Sequence, residues 1–372
     1  MKINILDVRD TDEIGGPGKT ILETAKRLDK NRFTNHLAVF QIRTEYEETS
    51  FIKEARKIDI PLHIIKSHNQ YDPAIIFKLL KVIKKNNIHI LHTHEPKSDI
   101  IGYLVKQLCN VHLVSTIHGY IKNSFRDHLY NKIDKFILRR FDRVIVVSDL
   151  MKKQMHQSGI SIDKLYLVYN SIVIENYINL GRATILENIT KRDFRDPIIA
   201  TIGRLNPEKG HKDFIEAANT VLKKGYDASF VLVGDGVERG KLQDMARNLG
   251  LESKILFTGY IQDIVSIYRN IDLMVLPSYT EGLPNVVLES LLMEVPVIAT
   301  SVGGTTEIIE HNETGVIIRP GRPTELADKI VDFIRYKDDF KKMAIEGRAD
   351  VIKRFNFHNR CKIIEELYVN LV

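Results

Sequence analysis

Cysteine is nearly missing from this sequence of 372 residues, with only Cys109 and Cys361 present. A disulfide framework is thereby excluded, and a reducing, cytoplasmic setting is expected. Long hydrophobic runs are missing too: no apolar stretch approaches the roughly 20 residues of a membrane-spanning helix. Residues 1–8 lack the basic, apolar, then small order of a secretion signal and read instead as a strand. With 44% hydrophobic and 27% charged residues, the chain is neither disordered, collagen-like nor low in complexity. Its length exceeds what one hydrophobic core usually serves, so two domains are expected. What it has in excess is positive charge, a formal net of +6. That suits a phosphate ligand, a membrane surface or a nucleic acid, but the charge is spread out and a solvated surface accounts for it equally well.

Short β-branched runs alternate with longer segments of helical period almost throughout. Strands are predicted at 3–8, 36–40, 62–65, 88–92, 111–116, 143–147 and 165–169, then at 198–202, 229–233, 255–257, 273–276, 295–299 and 316–318. Segments such as 19–28, 73–85, 214–224, 238–249 and 324–336 carry the helical pattern between them. Runs that are apolar throughout fit strands buried on both faces, hence parallel sheets covered by helices. Right-handed crossovers then give doubly wound α/β domains. The alternation breaks once, at 171–197, where the chain is polar and contains Gly181 and mixed charges. This stretch reads as a linker.

Two glycine-rich segments imitate nucleotide-binding motifs. Gly15-Gly16-Pro17-Gly18-Lys19-Thr20 follows a strand, but Glu13 stands where a phosphate loop needs its first glycine. A flexible glycine turn at a helix N-terminus remains, where backbone N–H groups can meet an anion. Gly234-Asp235-Gly236 leads to Gly240, one residue too far for the dinucleotide fingerprint, which disfavours an oxidoreductase.

The segment 279–289 is richer in chemistry. Pro284 is suited to a first helical position, which puts Glu281 in the preceding loop and Glu289 on the second turn. Both then face the crevice at the carboxyl end of strand 273–276, where open α/β sheets hold ligands. A loop carboxylate can meet sugar hydroxyls, and a second one turn deeper can accept two ribose hydroxyls. Between them the N–H groups of Leu283, Asn285 and Val286 offer an anion site favoured by the helix dipole. Taken alone, two such acids are more often surface residues. Upstream, Gly203-Arg204 closes strand 198–202 and Lys209 follows five residues on. Arginine can hold a phosphate with two parallel bonds and lysine adds a point charge, enough to neutralise a diphosphate without a metal.

In order, Gly203-Arg204 with Lys209, Gly234-Asp235-Gly236, Glu281-x7-Glu289, and Gly303-Gly304 with Glu307 resemble the signature of retaining GT-B glycosyltransferases of family 4. Gly15-Gly16, Thr116-Ile117-His118-Gly119 and Val168-Tyr169-Asn170 resemble that family's first-domain and interdomain elements, so the likeness spans nearly the whole chain. Two positions depart from the pattern: Pro17 stiffens the loop after the glycine pair, and Ser171 follows Asn170 where glycine is frequent.

The resemblance implies an α/β fold of the GT-B type, two Rossmann-like doubly wound domains facing a central cleft. Residues 1–172 would form the acceptor-binding domain and 173–355 the nucleotide-sugar-binding domain, with a final helix at about 356–372 able to pack back on the first. It further implies that Arg204 and Lys209 bind the donor diphosphate and stabilise the leaving group, and that Glu289 holds the ribose. Glu281 would contact the transferred sugar, assisted by the backbone of Leu283, Pro284 and Asn285. Gly16 would let its loop approach donor phosphate or acceptor, and His118 would lie near sugar or acceptor. Gly203 and Gly234 would line the donor site, and Tyr260-Ile261 would contact the base. Retention is attributed in the family to same-face attack, with a donor phosphate oxygen taking the acceptor's proton. No dedicated base is visible, and no metal or other cofactor is expected.

His92 and His94 flank Thr93 at a strand end; a zinc site needs further ligands, and a structural or acceptor-side role is favoured. Helix 73–85 sets Ile75, Ile76, Leu79, Leu80 and Ile83 against Lys78, Lys81, Lys84 and Lys85. A second basic stretch, 122–143, interleaves Phe125, Leu129, Ile133, Phe136 and Ile137. Either can rest on an anionic membrane or merely pack on the sheet with its lysines in water. Nucleic-acid binding has no recognition motif to support it.

The expected function is retaining transfer of a sugar from a nucleoside-diphosphate sugar, with UDP as the expected nucleotide. The acceptor would be a hydroxyl of a glycan or lipid-linked intermediate in cell-envelope or exopolysaccharide synthesis, at the cytoplasmic face of a membrane. A soluble disaccharide or sugar-phosphate synthase, and a non-catalytic nucleotide-sugar-binding protein, stay open as alternatives.

Overall fold

A computed structural model of the protein describes residues 2–10, 15–42, 49–69, 72–119, 125–177 and 197–372. The chain divides into two compact units, Met1–Ser171 with Phe357–Val372, and Ile172–Asn356.

Among its described residues unit 1 holds seven parallel strands: β1 (Ile3–Arg9), β2 (Phe33–Ile42), β3 (Leu62–Ser67), β4 (Ile90–Thr93), β5 (His112–Ile117), β6 (Arg143–Val146) and β7 (Leu165–Leu167). Their order is β3-β2-β1-β4-β5-β6-β7, so the direction of winding reverses between β1 and β4. Helices α1 (Gly15–Arg27) and α2 (Ser50–Ala55) make the crossovers on one side of that reversal. On the other side lie α3 (Ala74–Lys85), α4 (Pro96–Lys106), α5 (Phe125–Leu138) and α6 (Asp149–Gln157). Right-handed crossovers send the two groups to opposite faces of the sheet. The C-terminal helix Phe357–Val369 packs beside α1. It delivers Ile364, Leu367 and Tyr368 into a core with Ile5, Phe33, Ile90 and Val114.

Unit 2 repeats the plan with β8 (Ile198–Ile202), β9 (Ser229–Val233), β10 (Ile255–Gly259), β11 (Leu273–Leu276), β12 (Val297–Thr300) and β13 (Val316–Ile318), in the order β10-β9-β8-β11-β12-β13. Every residue of β8, β11 and β12 is buried, which is why these segments read as unbroken apolar runs. Phe214, Phe230, Leu232, Ile298 and Leu326 belong to the core between sheet and helices.

Local differences from the sequence reading have local causes. β12 starts at Val297 because Pro296 cannot donate to the ladder. Helix α1 begins at Gly15, so Gly15–Gly18 form its first turn instead of a loop before it. Pro17 is tolerated there because first-turn N–H groups have no helical acceptor. Of the stretch read as a linker, 178–196 lies outside the described residues. Just before it, Ile172 pairs with Asn356 within unit 2.

Candidate active site

The carboxyl ends of β8 and β11, the strands flanking the reversal in unit 2, gather most of the residues singled out above. After β8 the chain passes Arg204 and makes a short turn, Pro207–Lys209, that ends at Lys209. After β11 it runs through Ser278 to Glu281. Lys209 Nζ lies 2.7 Å from Glu281 Oε1, and Ser278 Oγ donates to the same oxygen at 2.7 Å. Two distant loops are thus joined by an ion pair whose carboxylate is nearly buried. The N–H of Tyr279 donates to Glu208 O at 2.8 Å and ties the loops a second time.

Glu281 is gripped from behind by the loop after β12. Gly303 has φ +56°, and a Cβ there would stand 2.1 Å from Glu281 O, so only glycine fits. Gly304 N donates to Gly282 O at 2.6 Å. Gly234 (φ +138°) is similar: a Cβ would meet Gly203 O at 1.9 Å. Of the two glycines predicted to line the donor site, Gly234 therefore has a packing reason of its own, the close approach of its loop to Gly203, whereas a Cβ added at Gly203 would meet nothing.

Helix Asn285–Leu292 starts one residue later than the sequence suggested. Pro284 is its N-cap, in extended conformation (φ −75°, ψ 112°). Asn285 Oδ1 is buried at this terminus without a hydrogen-bond partner. Glu289, on the second turn, is buried; Tyr268 donates its hydroxyl to Glu289 Oε2 at 2.9 Å, and the Tyr177 hydroxyl bonds the same carboxylate. The phenols' own ionisation is pushed up by burial and by this carboxylate. Neither tyrosine was singled out from sequence, because nothing in its local pattern marks it as a partner of a glutamate more than twenty positions away.

His211 was also missed. Its Nε2–H donates to Arg204 O at 3.0 Å, and burial pushes its pKa down to about 4. The ring is a neutral strut under the Arg204 loop. Tyr260 and Ile261 follow β10, the edge strand, and Tyr260 is 71% exposed. No described contact joins them to Glu281 or Lys209.

Unit 1 concentrates polar residues at the carboxyl ends of β1, β4 and β5. Asp7 accepts from His94 Nε2 at 2.8 Å and from Asn35 at 2.9 Å. His92 bonds Tyr368 Oη at 2.6 Å through Nδ1 and Thr116 Oγ1 at 2.7 Å through Nε2. His118, just past β5, stacks on His94 with ring centroids 5.7 Å apart, and neither of its buried ring nitrogens has a partner. Burial and the charges of Arg360 and Arg9 hold His94 and His118 well below the usual histidine range, and His92 falls to about 3. Gly16 lies in the first turn of α1, its carbonyl accepting from Thr20 Oγ1 at 3.1 Å.

Asp7, His92 and His94 place ligating atoms within 4.8 Å of one another. The donor set nonetheless fits a metal poorly. Both nitrogens of His92 are already engaged, and the arginines that depress these histidines oppose an added cation. The cluster is a hydrogen-bonded scaffold beneath His118.

Two parallel, doubly wound units of this kind define the GT-B class of glycosyltransferases. Family models match both: "Glycosyltransferase Family 4" over residues 14–176 and "Glycosyl transferases group 1" over residues 184–350. The chain belongs to glycosyltransferase family 4. It is 25% identical over 367 residues to N-acetyl-alpha-D-glucosaminyl L-malate synthase of Bacillus anthracis, covering 96% of this chain and 95% of that one. It is 26% identical to an Escherichia coli UDP-Gal:alpha-D-GlcNAc-diphosphoundecaprenol alpha-1,3-galactosyltransferase, over 81% of this chain and 80% of the other. Among solved structures, Anabaena HepE in complex with UDP and glucose superposes with a TM-score of 0.86 at 21% identity, covering 99% of this chain and all of that one.

Proposed function

We propose that the protein transfers a sugar, with retention and without a metal, from a UDP-linked donor to a hydroxyl of a glycan or lipid-linked acceptor in cell-envelope polysaccharide synthesis. The observation that carries this reading is the pairing of Lys209 with Glu281 next to a helix N-terminus, with Glu289 held one turn deeper. Departure of a diphosphate puts negative charge on its oxygens and positive charge on the sugar ring. Arg204, Lys209 and the helix terminus at Pro284 oppose the first charge, and Glu281 offsets the second. A preorganised donor of this kind contributes about 3–4 kcal/mol. Glu289 accepts from the ribose hydroxyls: an ionised carboxylate has about four acceptor sites, and the two phenols occupy two of them. Leu283 and Asn285 assist through their backbone, and Tyr260-Ile261 contact the base. Gly16 and His118 act on the acceptor side, His118 as a neutral hydrogen-bonding ring.

The Escherichia coli relative, named for a UDP-sugar and a diphosphoundecaprenol-linked acceptor, supports the donor and acceptor classes. The Bacillus anthracis relative, named for a small-molecule product, supports the alternative of a soluble small-acceptor synthase. Product analysis with lipid-linked and with soluble acceptors separates the two. The donor site is tested by calorimetry of UDP, GDP and ADP with EDTA present throughout. Tight binding of UDP alone, lost in Arg204→Ala, is the expected result. Binding of none of the three would sink the donor assignment and leave only the fold.

A further inference from the structure

We propose that the face of unit 1 formed by α3, α4 and α5 docks on an anionic lipid bilayer. The three helices are neighbours on the same side of the sheet. The apolar positions that the sequence made prominent on α3 are not available for this, since Ile75, Leu79 and Ile83 are buried against the sheet. Different side chains reach solvent. Phe77 on α3 is 69% exposed and Phe136 on α5 is 59% exposed. Leu104 and Leu108, at the end of α4 and just beyond it, and Leu129 and Ile133 on α5 are exposed with them. Six large apolar side chains on three adjacent helices are more than the scattered singles of an ordinary surface.

Cations predominate on this face; Asp142, just past α5, is partly exposed and paired with Lys106 of α4. Lys81, Lys84 and Lys85 surround Phe77, and with it and Leu80 they line a shallow depression. Lys132, Arg139 and Arg140 are exposed on and just after α5. Among the described side chains of the three helices the only carboxylates are Asp99 and Asp134, and both are buried; Asp127 lies outside the described side chains. The opposite face is mixed, with Glu23 paired to Lys26 and Arg27, and Glu54 paired to Lys57. Phenyl and aliphatic groups that enter the headgroup region, ringed by cations that meet lipid phosphates, are what an interfacial protein presents to a bilayer. A nucleic acid would use the cations but not the aliphatics. The inference deepens the proposed lipid-linked acceptor by naming the surface that brings the enzyme to it.

The test is co-sedimentation of the full chain with vesicles of phosphatidylcholine alone and of phosphatidylcholine mixed with phosphatidylglycerol. No acceptor lipid is included, so the outcome does not depend on turnover. Binding to the anionic vesicles only, weakened by salt, is expected. Each lost cation should cost about fivefold in partitioning, so Lys81→Gln with Lys84→Gln should cost about 25-fold. Phe77→Ser or Phe136→Ser should cost on the order of tenfold. The natural chain has no tryptophan, so Phe77→Trp and Phe136→Trp each give a single reporter whose emission should shift to the blue on anionic vesicles. Absence of vesicle binding, binding that survives these substitutions, or tryptophan emission unchanged on vesicles that bind the protein would overturn the proposal. UDP calorimetry on the same samples reports separately on the donor site: a surface that fails while UDP still binds leaves the proposed activity standing.

Discussion

Lys209 Nζ and Glu281 Oε1 stand 2.7 Å apart, and Ser278 donates to the same carboxylate oxygen. The cation proposed to meet the leaving diphosphate and the acid proposed to meet the sugar therefore hold each other in place before any donor arrives. Lys209→Ala removes both the charge and this restraint. We expect kcat to fall about a hundred- to a thousandfold, the cost of deleting one preorganised donor. Ser278→Ala removes only an orienting bond worth roughly 1 kcal/mol and should cost about fivefold. UDP release from UDP-linked sugars, followed by a coupled assay, measures both.

Glu289 is oriented by the hydroxyls of Tyr268 and Tyr177. Tyr268→Phe deletes a bond to a charged acceptor, worth about 1.5–3 kcal/mol. The expected outcome is a donor KM raised about ten- to a hundredfold with kcat nearly unchanged. Discrimination between UDP and 2′-deoxy-UDP should shrink in the same variant, a readout that a general loss of stability would not produce.

Asp99 and Asp134 meet between α4 and α5, where burial and the neighbouring carboxyl raise the Asp99 pKa well above the usual range and Thr93 donates to it. A raised carboxyl holds its proton in the folded state at a pH where the unfolded chain has lost it. Stability is therefore lost as pH rises from about 4, the ordinary aspartate value, toward the folded-state pKa. Asp99→Asn copies the protonated form. Its melting temperature should match the parent near pH 4 and exceed it increasingly above, in paired thermal melts across pH.

Arg360, on the C-terminal helix, donates to Tyr169 O at 2.7 Å, to Val168 O at 3.3 Å and to Thr24 Oγ1 at 3.2 Å, all within unit 1. Its charge also depresses His92, His94 and His118. Arg360→Met should raise the pKa of all three histidines, as read by NMR titration of their ring protons. Loss of charged hydrogen bonds to buried acceptors should also destabilise the protein by about 3 kcal/mol in a denaturant titration.

The strand pattern and the order of the unit 2 motifs were legible because both are local. A strand buried on both faces must be apolar throughout, and a loop that cradles a ligand at a strand end needs its glycines and charges within a few residues. The same locality explains what was missed. Asp7, Arg9 and Tyr368 look like ordinary strand and helix residues, and only the β1-β4-β5 register sets Asp7 beside His92 and His94. On α3 the helical period located the buried side, but the lone Phe77 on the lysine side gave no periodic signal.

The sequence by itself determined that this is a two-unit α/β protein with a family 4 signature, since burial on both sheet faces and glycine-dependent turns write themselves into neighbouring residues. Tertiary structure alone decided which groups touch. It closed Lys209 onto Glu281, 72 positions away, set two tyrosines on Glu289, and brought a helix from the chain's end to place Tyr368 against His92. It also gathered the exposed phenylalanines and lysines of α3 and α5 on one face. Such pairings depend on strand order and crossover hand, which bring distant positions together and leave no trace in the spacing of residues along the chain.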